Sequence, residues 1–317
     1  MRPMQSLLLS ALVSLGIAGA QATTPTIAKQ PPVPLLWKVS DADSTLYLLG
    51  SFHFLMPQDY PLSPDVDAAF ADAESLVFEM SPEEMSSATL AVQMTQAALR
   101  TDGTTLDSEL SPTVAKQLQA WLDKNKAVLQ KLNLPPEILQ RFEPWFVALT
   151  VTIVEFEKFG LDRKLGLETH FSEAAQKAQK STSGLETGAQ QIAFFDSMSR
   201  QEQTQFLEEA LSDSAEGKQA IEKLHGAWRR GDAATLWNEM AAEMRKESPA
   251  LYKRINVERN DVWLPQLERR LKESTADDTL VVVGALHLLG SDGVVEKLRA
   301  KGYTVERVCS VCKPKKG

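Results

Sequence analysis

Cysteine is the residue type that this sequence has least of. Among 317 residues there are only two, Cys309 and Cys312. The pair is too small for a structural zinc site, which takes about four ligands. A redox pair usually opens a helix, whereas Pro314 and the end of the chain follow here. We therefore favour a local disulfide between the two, with a redox-active or metal-binding pair as the alternatives.

The sequence also has no large basic cluster and no apolar run long enough to cross a membrane. The net charge is −8, and the only basic cluster is the short Lys313, Lys315 and Lys316 tail. A nucleic-acid partner is excluded because it would need a basic surface. The longest apolar run, residues 7–18, is shorter than the roughly 20 residues of a membrane helix. The mature chain is therefore predicted to have no transmembrane segment.

That apolar run is typical of the core of a signal peptide. Arg2 precedes it, and Ala20-Gln21-Ala22 follows with the small-x-small spacing of a signal-peptidase site. We expect residues 1–22 to be removed and the mature protein to be periplasmic or secreted. Prolines in residues 23–34 predict an extended linker, and residues 309–317 are expected to form a C-terminal tail.

Three common catalytic motifs are missing as well. The sequence has no Gly-x-Ser-x-Gly, no His-Glu-x-x-His and no Gly-x4-Gly-Lys. Their absence removes support for a serine nucleophile on a strained turn, for a zinc-binding metalloprotease helix and for a phosphate-binding loop.

Strand patterns occur at the two ends of the chain, with helical spacing between them. The predicted elements are, in order, strands at 35–39 and 45–49 forming a hairpin, a helix from Pro64, a buried strand at 75–80, helices over 82–272, a strand at 279–283, a helix after Ser291 and a strand at 303–308. We predict a single α/β domain over residues 35–308, leaning towards α+β. Its central sheet is built from both ends of the chain and carries a large helical insertion.

Two segments, one near each end, share an eleven-residue pattern. Residues 45–55 align without gaps on residues 279–289 with five identities, and each segment has an apolar run followed by Gly-x-x-His. Composition alone predicts about 0.2 copies of Gly-x-x-His in the chain, which is too few to explain two. We infer a duplicated unit of strand, Gly-x-x-His turn, helix and strand.

The histidines of these motifs, His53 and His287, are the first candidates for catalysis. The functional crevice of an open α/β sheet lies at the carboxyl ends of its strands, where both histidines are predicted. A single histidine is more often structural, but a matched pair favours a functional role. Glu79 ends the strand at 75–80, and a carboxylate in an apolar strand is costly unless it is paired or functional. We predict that these three residues share one site.

At these residues the sequence resembles the TraB/GumN family, which is related to the Tiki metalloproteases and more remotely to erythromycin-esterase-like and haem-binding proteins. The family pattern of two Gly-x-x-His motifs and an intervening glutamate falls on the three residues above. Further family-like segments are Gly166–Phe171, Gly184–Thr187 and Glu258–Asn260. Glu168 stands where relatives usually carry Asp. The resemblance covers nearly the whole mature chain.

The resemblance implies a metal-dependent hydrolase. We predict that His53, Glu79 and His287 are both the catalytic residues and the ligands of one divalent ion, manganese, cobalt or zinc, because imidazole and carboxylate groups suit all three. The substrate is expected to be a peptide or a small molecule.

Other polar residues are expected around this centre. The residues predicted to orient substrate or to stabilise an oxyanion are Glu186, Arg259 and Asn260. Glu168 and His170 are expected to lie behind the ligands as supporting groups. His225 is expected to be an ordinary surface histidine.

Two alternatives to metal-dependent hydrolysis stay open. In the first, a metal-free hydrolase uses one histidine as general base with Glu79 as its partner. In the second, a non-catalytic periplasmic protein binds haem, a peptide or a glycan, or acts as a scaffold. Oligomeric state is left open.

Overall fold

A computed structural model describes residues 30–41, 43–273 and 277–312. The predicted signal peptide, the first part of the predicted linker (23–29) and the last five residues lie outside the described residues. Residues 30–35, which lead into the first strand, have neither helical nor strand structure.

The described residues form strands and helices in a mixed order along the chain. They are β1 (Leu36–Ser40), β2 (Thr45–Ser51), α1 (Pro64–Asp72), β3 (Ser75–Met80), α2 (Pro82–Met85), α3 (Ala88–Ala98), α4 (Pro112–Lys131), α5 (Pro136–Leu139), α6 (Pro144–Phe159), α7 (Leu167–Ala178), β4 (Ser181–Glu186), α8 (Gly188–Asp196), α9 (Arg200–Glu216), α10 (Lys218–Arg229), α11 (Ala233–Trp237), α12 (Glu243–Glu247), α13 (Pro249–Tyr252), α14 (Arg259–Glu273), β5 (Thr279–Gly284), α15 (Val294–Ala300) and β6 (Thr304–Arg307). Two π-helical turns, Asn238–Ala242 and Lys253–Glu258, precede α12 and α14.

The strands form one mixed sheet with the order β4-β3-β5-β2-β1-β6. β1 and β2 are the predicted hairpin, and β2 pairs in parallel with β5, which in turn pairs in parallel with β3. β6 lies on the far edge, antiparallel to β1. The predicted α/β class is confirmed, and so is the prediction that both ends of the chain build one sheet.

Burial explains why the central strands read as unbroken apolar runs. β2 and β5 are buried at every residue, and β3 at every residue but its first. Strands covered on both faces cannot alternate polar and apolar residues, since neither face meets water. The edge strand β6 instead alternates exposed and half-buried positions.

Helix starts follow from local chemistry. Pro64, Pro112, Pro136 and Pro144 each occupy a first helical position, where a missing N–H is harmless and the fixed φ suits the helix. Ser199 precedes α9, and its hydroxyl accepts a hydrogen bond from the Glu202 N–H in the first turn.

The described residues divide into two compact units. The sheet unit contains residues 30–82, Asp162–Glu186 and the chain from Glu222 onwards, and the insertion unit contains Glu83–Leu161 and Thr187–Ile221. In the insertion unit α6 packs on α9, and the Trp145 ring stacks on Phe195 with ring centroids 5.4 Å apart. The helical region predicted at 82–272 is therefore shared between the units.

One strand of the sheet was not expected from the sequence. β4 lies inside the predicted helical region, with the residues Ser-Thr-Ser-Gly-Leu-Glu. Serines, threonine and glycine give no apolar run, because β4 is an edge strand whose first four residues are exposed or half-buried. An edge position therefore concealed this strand.

Two sequence-based expectations concern the chain as a whole. Cys309 and Cys312 form a disulfide, as predicted. No helix among the described residues is both long and apolar enough to cross a membrane.

Candidate active site

Three predicted site residues meet at the carboxyl ends of β2, β3 and β5. A Cβ atom placed on Gly284 would lie 3.1 Å from Glu79 Oε1, 3.2 Å from His53 Nε2 and 3.5 Å from His287 Cδ2. The parallel register explains the meeting, since it aligns the ends of strands that are far apart in sequence. Gly284 leaves this point open, and its N–H donates to Glu79 Oε1 at 2.7 Å.

His53 is held by a carboxylate. Its Nδ1 lies 2.8 Å from Glu168 Oε1, and both side chains are largely buried. Burial alone would lower the His53 pKa, but the charge and hydrogen bond of Glu168 and the charge of Glu79 raise it above its usual value. With Nδ1 engaged, Nε2 is the ring nitrogen that faces Glu79.

Glu168 is charged in this pair. Burial would raise its pKa, but the charge and hydrogen bond of His53 and the Ser51 hydroxyl lower it below the usual value. Ser51 is buried near Glu168, and its hydroxyl has no partner at ordinary hydrogen-bond distance and angle among the described residues. The sequence analysis did not single out Ser51, although it lies inside the first Gly-x-x-His motif.

His287 has a different environment. Its Nδ1 lies 2.8 Å from Asn260 Oδ1, and its Nε2 lies 3.2 Å from Arg259 Nη1. Burial, with the charges of Arg259 and His53, holds the His287 pKa well below its usual value. A neutral ring satisfies both contacts, since Nδ1–H donates to the amide oxygen and Nε2 accepts from the guanidinium.

Arg259 is the cation of the site. It donates to Glu79 Oε2 at 2.6 Å and forms two bonds of 2.8 Å with Glu186. Burial would lower its pKa, but the charges of Glu79 and Glu186 raise it. The π-helical turn Lys253–Glu258 ends where Arg259 begins, and such turns are common at functional sites because they alter which side chains face inward.

Trp263 completes this cluster and was missed by the sequence analysis. Its Nε1 donates to Glu186 Oε1 at 2.9 Å, and its ring lies 4.3 Å from the His287 ring and 4.9 Å from the Arg259 guanidinium. Helical spacing was the available signal, since Trp263 follows Arg259 by four residues and so shares its face of α14.

All six residues predicted for catalysis and substrate binding lie in this cluster, with Glu168 behind His53. His170, two residues further on, instead packs on Tyr60 with ring centroids 4.6 Å apart. The expectation that His225 lies on the surface is wrong. His225 is only 7% exposed, and its Nε2 lies 2.8 Å from Asp59 Oδ2.

His53, Glu79 and His287 are the groups of this site that could hold a divalent ion. Two imidazoles and a carboxylate are suitable ligands, but the described residues include no group of three His, Cys, Asp or Glu side chains arranged to hold one. His287 Nε2 and Glu79 Oε1 are 4.0 Å apart, and the guanidinium of Arg259 contacts both residues. In this arrangement the guanidinium of Arg259 contacts Glu79 and His287, so an ion bound there would have to displace it.

The fold and this site define an α/β protein whose two Gly-x-x-His turns bring their histidines to one carboxylate at the carboxyl edge of a sheet. The chain belongs to the TraB/PrgY/gumN family, whose model matches residues 35–307. No curated protein and no solved structure matches the chain.

Proposed function

We propose that the chain is a hydrolase of peptides or small molecules in which His53 is the general base. The observation that supports this most is the pair of unlike histidines. His53 is bound to a carboxylate and has a raised pKa, whereas His287 is bound to an amide and a guanidinium and is neutral. Environments that separate two pKa values are typical of acid–base catalysts.

The proposed reaction begins with a water molecule beside Gly284, within reach of His53 Nε2 and Glu79 Oε1. His53 takes a proton through Nε2 as the water oxygen attacks the substrate carbonyl carbon. Glu168 fixes the ring and stabilises the imidazolium that forms. His53 then gives the proton to the leaving group, which restores the neutral ring as the bond breaks.

Arg259 is suited to the negative charge that develops on the carbonyl oxygen. Its guanidinium is largely buried, forms an ion pair with Glu186 and lies over the Trp263 ring before any substrate binds. A cation fixed in advance stabilises a transition state with little reorganisation. In this proposal Glu186 and Trp263 position Arg259, and Asn260 positions His287.

A peptide digest tests the proposal. Purified protein is offered a mixed peptide library and a panel of small esters and amides, with products identified by mass spectrometry. We expect His53→Ala to lower turnover by about 10²–10⁴-fold, and Glu168→Gln to lower it as well. Glu173→Gln is the matched control, because Glu173 is an exposed carboxylate on the same helix. Absence of turnover by folded wild-type protein, with and without divalent ions, would refute hydrolysis.

A divalent ion is a second proposal with its own support. Metal-ligating histidines usually bind a second group through their other ring nitrogen, and both histidines have Nδ1 engaged in this way. Binding would require Arg259 to leave Glu79. Elemental analysis after incubation with zinc, manganese or cobalt, on wild type, His53→Ala and His287→Ala, decides this. Equal metal content in all three proteins would exclude the site.

The non-catalytic alternative gives a distinct result. A binding protein for haem, a peptide or a glycan would bind its ligand without turnover under any metal condition.

We also propose that the chain is exported, on the basis of residues 1–22. Intact-mass analysis of protein from the secreting host should then give an N-terminus at Thr23, and retention of Met1 or Arg2 would contradict export.

A further inference from the structure

One face of α14 extends from the site along the edge strand β4. Arg259, Trp263, Gln266 and Arg270 are spaced four, three and four residues apart, which places them on one side of a helix. Their partners on β4 run in the opposite direction along the chain. Arg259 and Trp263 donate to Glu186. Gln266 Nε2 donates to the Leu185 carbonyl at 2.9 Å, and Arg270 Nη2 donates to Ser183 Oγ at 2.7 Å.

Arg270 has a different kind of partner from Arg259 and Arg229. Arg259 is paired with two glutamates and Arg229 with Asp59. Arg270 is half-buried, and in the described part of the chain its partner is the Ser183 hydroxyl rather than a carboxylate. Burial lowers the Arg270 pKa, and no opposing charge acts on it among the described side chains. A partly buried cation without a counter-charge is costly, which suggests that a ligand provides the charge.

The strand beside Arg270 is an edge strand. β4 is the last strand of the sheet, and only β3 pairs with it among the described residues. Ser181 is exposed, and the three residues after it are half-exposed. On α14, Val262 is 52% exposed one turn before Gln266. Exposed strand edges bind extended peptides through backbone hydrogen bonds and nearby side-chain contacts.

We propose that an extended peptide binds to the surface formed by Ser183, Val262, Gln266 and Arg270, with an Asp or Glu side chain of the peptide paired to Arg270. Val262 offers an apolar contact, and Arg270 offers the bidentate donor pair that carboxylates accept. This surface leads to Glu186 and Arg259. The inference rests on the proposed function in so far as the bound peptide is the substrate.

Helix geometry gives the spacing of the recognised residue. Arg259 and Arg270 are eleven residues apart on α14, so about 16 Å separates their positions along the helix axis. An extended peptide covers that length in about five residues. The acidic side chain should therefore lie about five residues from the bond placed beside His53.

The test measures binding rather than turnover. Fluorescein-labelled, C-terminally amidated ten-residue peptides of Ser, Thr and Val, each with one Glu at a scanned position, are titrated into His53→Ala protein and followed by fluorescence anisotropy. We expect one Glu position to bind about tenfold more tightly than its Gln counterpart, the gain typical of one charge-assisted pair. Arg270→Gln should remove that difference, and Arg270→Lys should keep part of it.

Controls separate this surface from general effects. Arg269→Gln, an exposed neighbour on the same helix, should keep the preference for Glu, and thermal unfolding checks that each variant is folded. Equal binding of Glu and Gln peptides, or a preference that survives Arg270→Gln, overturns the proposal. A gain seen only with a free peptide C-terminus overturns it as well. Selective binding without hydrolysis by wild type would sink the hydrolase proposal and leave this surface standing.

Discussion

Gly166 lies so close to His53 that a Cβ atom on Gly166 would overlap the His53 carbonyl oxygen. The contact joins the first Gly-x-x-His turn to the start of α7, two residues before Glu168. We expect Gly166→Ala to push these segments apart and to lower the free energy of unfolding by about 1–3 kcal/mol. It should also lower turnover, because His53 and Glu168 would separate. Urea unfolding and the peptide digest measure the two effects.

Gly226→Ala is the matched control for this prediction. Gly226 lies inside α10, and an added Cβ would meet only the flexible end of the Arg230 side chain. Alanine favours a helix over glycine by up to about 1 kcal/mol, so this variant should be as stable as wild type or more so. If both substitutions destabilise equally, the contact with His53 does not explain the loss.

Trp263→Phe should lower turnover strongly and the free energy of unfolding only modestly. The substitution removes the bond from Nε1 to Glu186 while keeping a ring against Arg259 and His287. Loss of one buried hydrogen bond should lower the unfolding free energy by about 1–3 kcal/mol. Because Glu186 holds Arg259, we expect turnover to fall by at least about tenfold.

Trp121→Phe offers the same chemistry in the insertion unit. Trp121 Nε1 donates to Glu155 Oε1, also at 2.9 Å, and the ring is buried. This variant should lose similar stability and keep its turnover. Equal losses of turnover in the two variants would mean that Trp263 acts on stability alone.

Asp59→Asn should show a pH-dependent loss of stability. Burial would raise the Asp59 pKa, but His225, the Met56 N–H and Arg229 lower it below its ordinary value of 3.8. Because its pKa is lowered by folding, the ionised Asp59 carboxylate stabilises the fold at pH values above its ordinary pKa of 3.8. This contribution is lost as the pH falls through the lower pKa of the folded state. At neutral pH the loss should reach about 3–5 kcal/mol, since His225 and Arg229 remain buried without their partner.

Urea unfolding of wild type and Asp59→Asn between pH 7 and pH 3 measures this dependence. The gap between the two proteins should narrow towards the acid end. Asp123→Asn, at an exposed position of α4, should show little change at any pH. A gap that is constant with pH would contradict an ionised Asp59.

Reducing the Cys309–Cys312 disulfide should have a small effect. The two cysteines are three residues apart, and closing so short a loop stabilises the fold by no more than about 2 kcal/mol. Ser310 also keeps the segment in place through two bonds to Asp65. Unfolding with and without dithiothreitol measures the effect, and the double variant Cys309→Ser, Cys312→Ser should be insensitive to the reductant. A much larger loss would mean that the disulfide holds more than this loop.

The sequence predicted most of the sheet and the meeting of His53, Glu79 and His287 because both depend on local pattern. Apolar runs marked β2, β3 and β5, and the repeated Gly-x-x-His marked where two of them end. Parallel pairing then brought His53, Glu79 and His287 together without further information. The family resemblance supplied Glu186, Arg259 and Asn260, which no pattern of spacing would have joined to the histidines.

What the sequence missed depends on contacts between distant segments. β4 has no apolar run because it is an edge strand, and His225 looks polar in sequence although Asp59, 166 positions away, keeps it buried and paired. The ionic arrangement of the site was also hidden. No local pattern shows that the guanidinium of Arg259 contacts both Glu79 and His287.

The position of β5 in the sheet has a consequence for the order of events during synthesis. β5 lies between β2 and β3. These two strands both belong to the first 80 residues, but they cannot pair with each other in the native arrangement. β2 and β3 can take up their native pairing with β5 only after about residue 284 has left the ribosome. A chain interrupted before that point lacks both β5, which completes the sheet, and the second histidine, His287. Such partial products should be inactive and easily degraded.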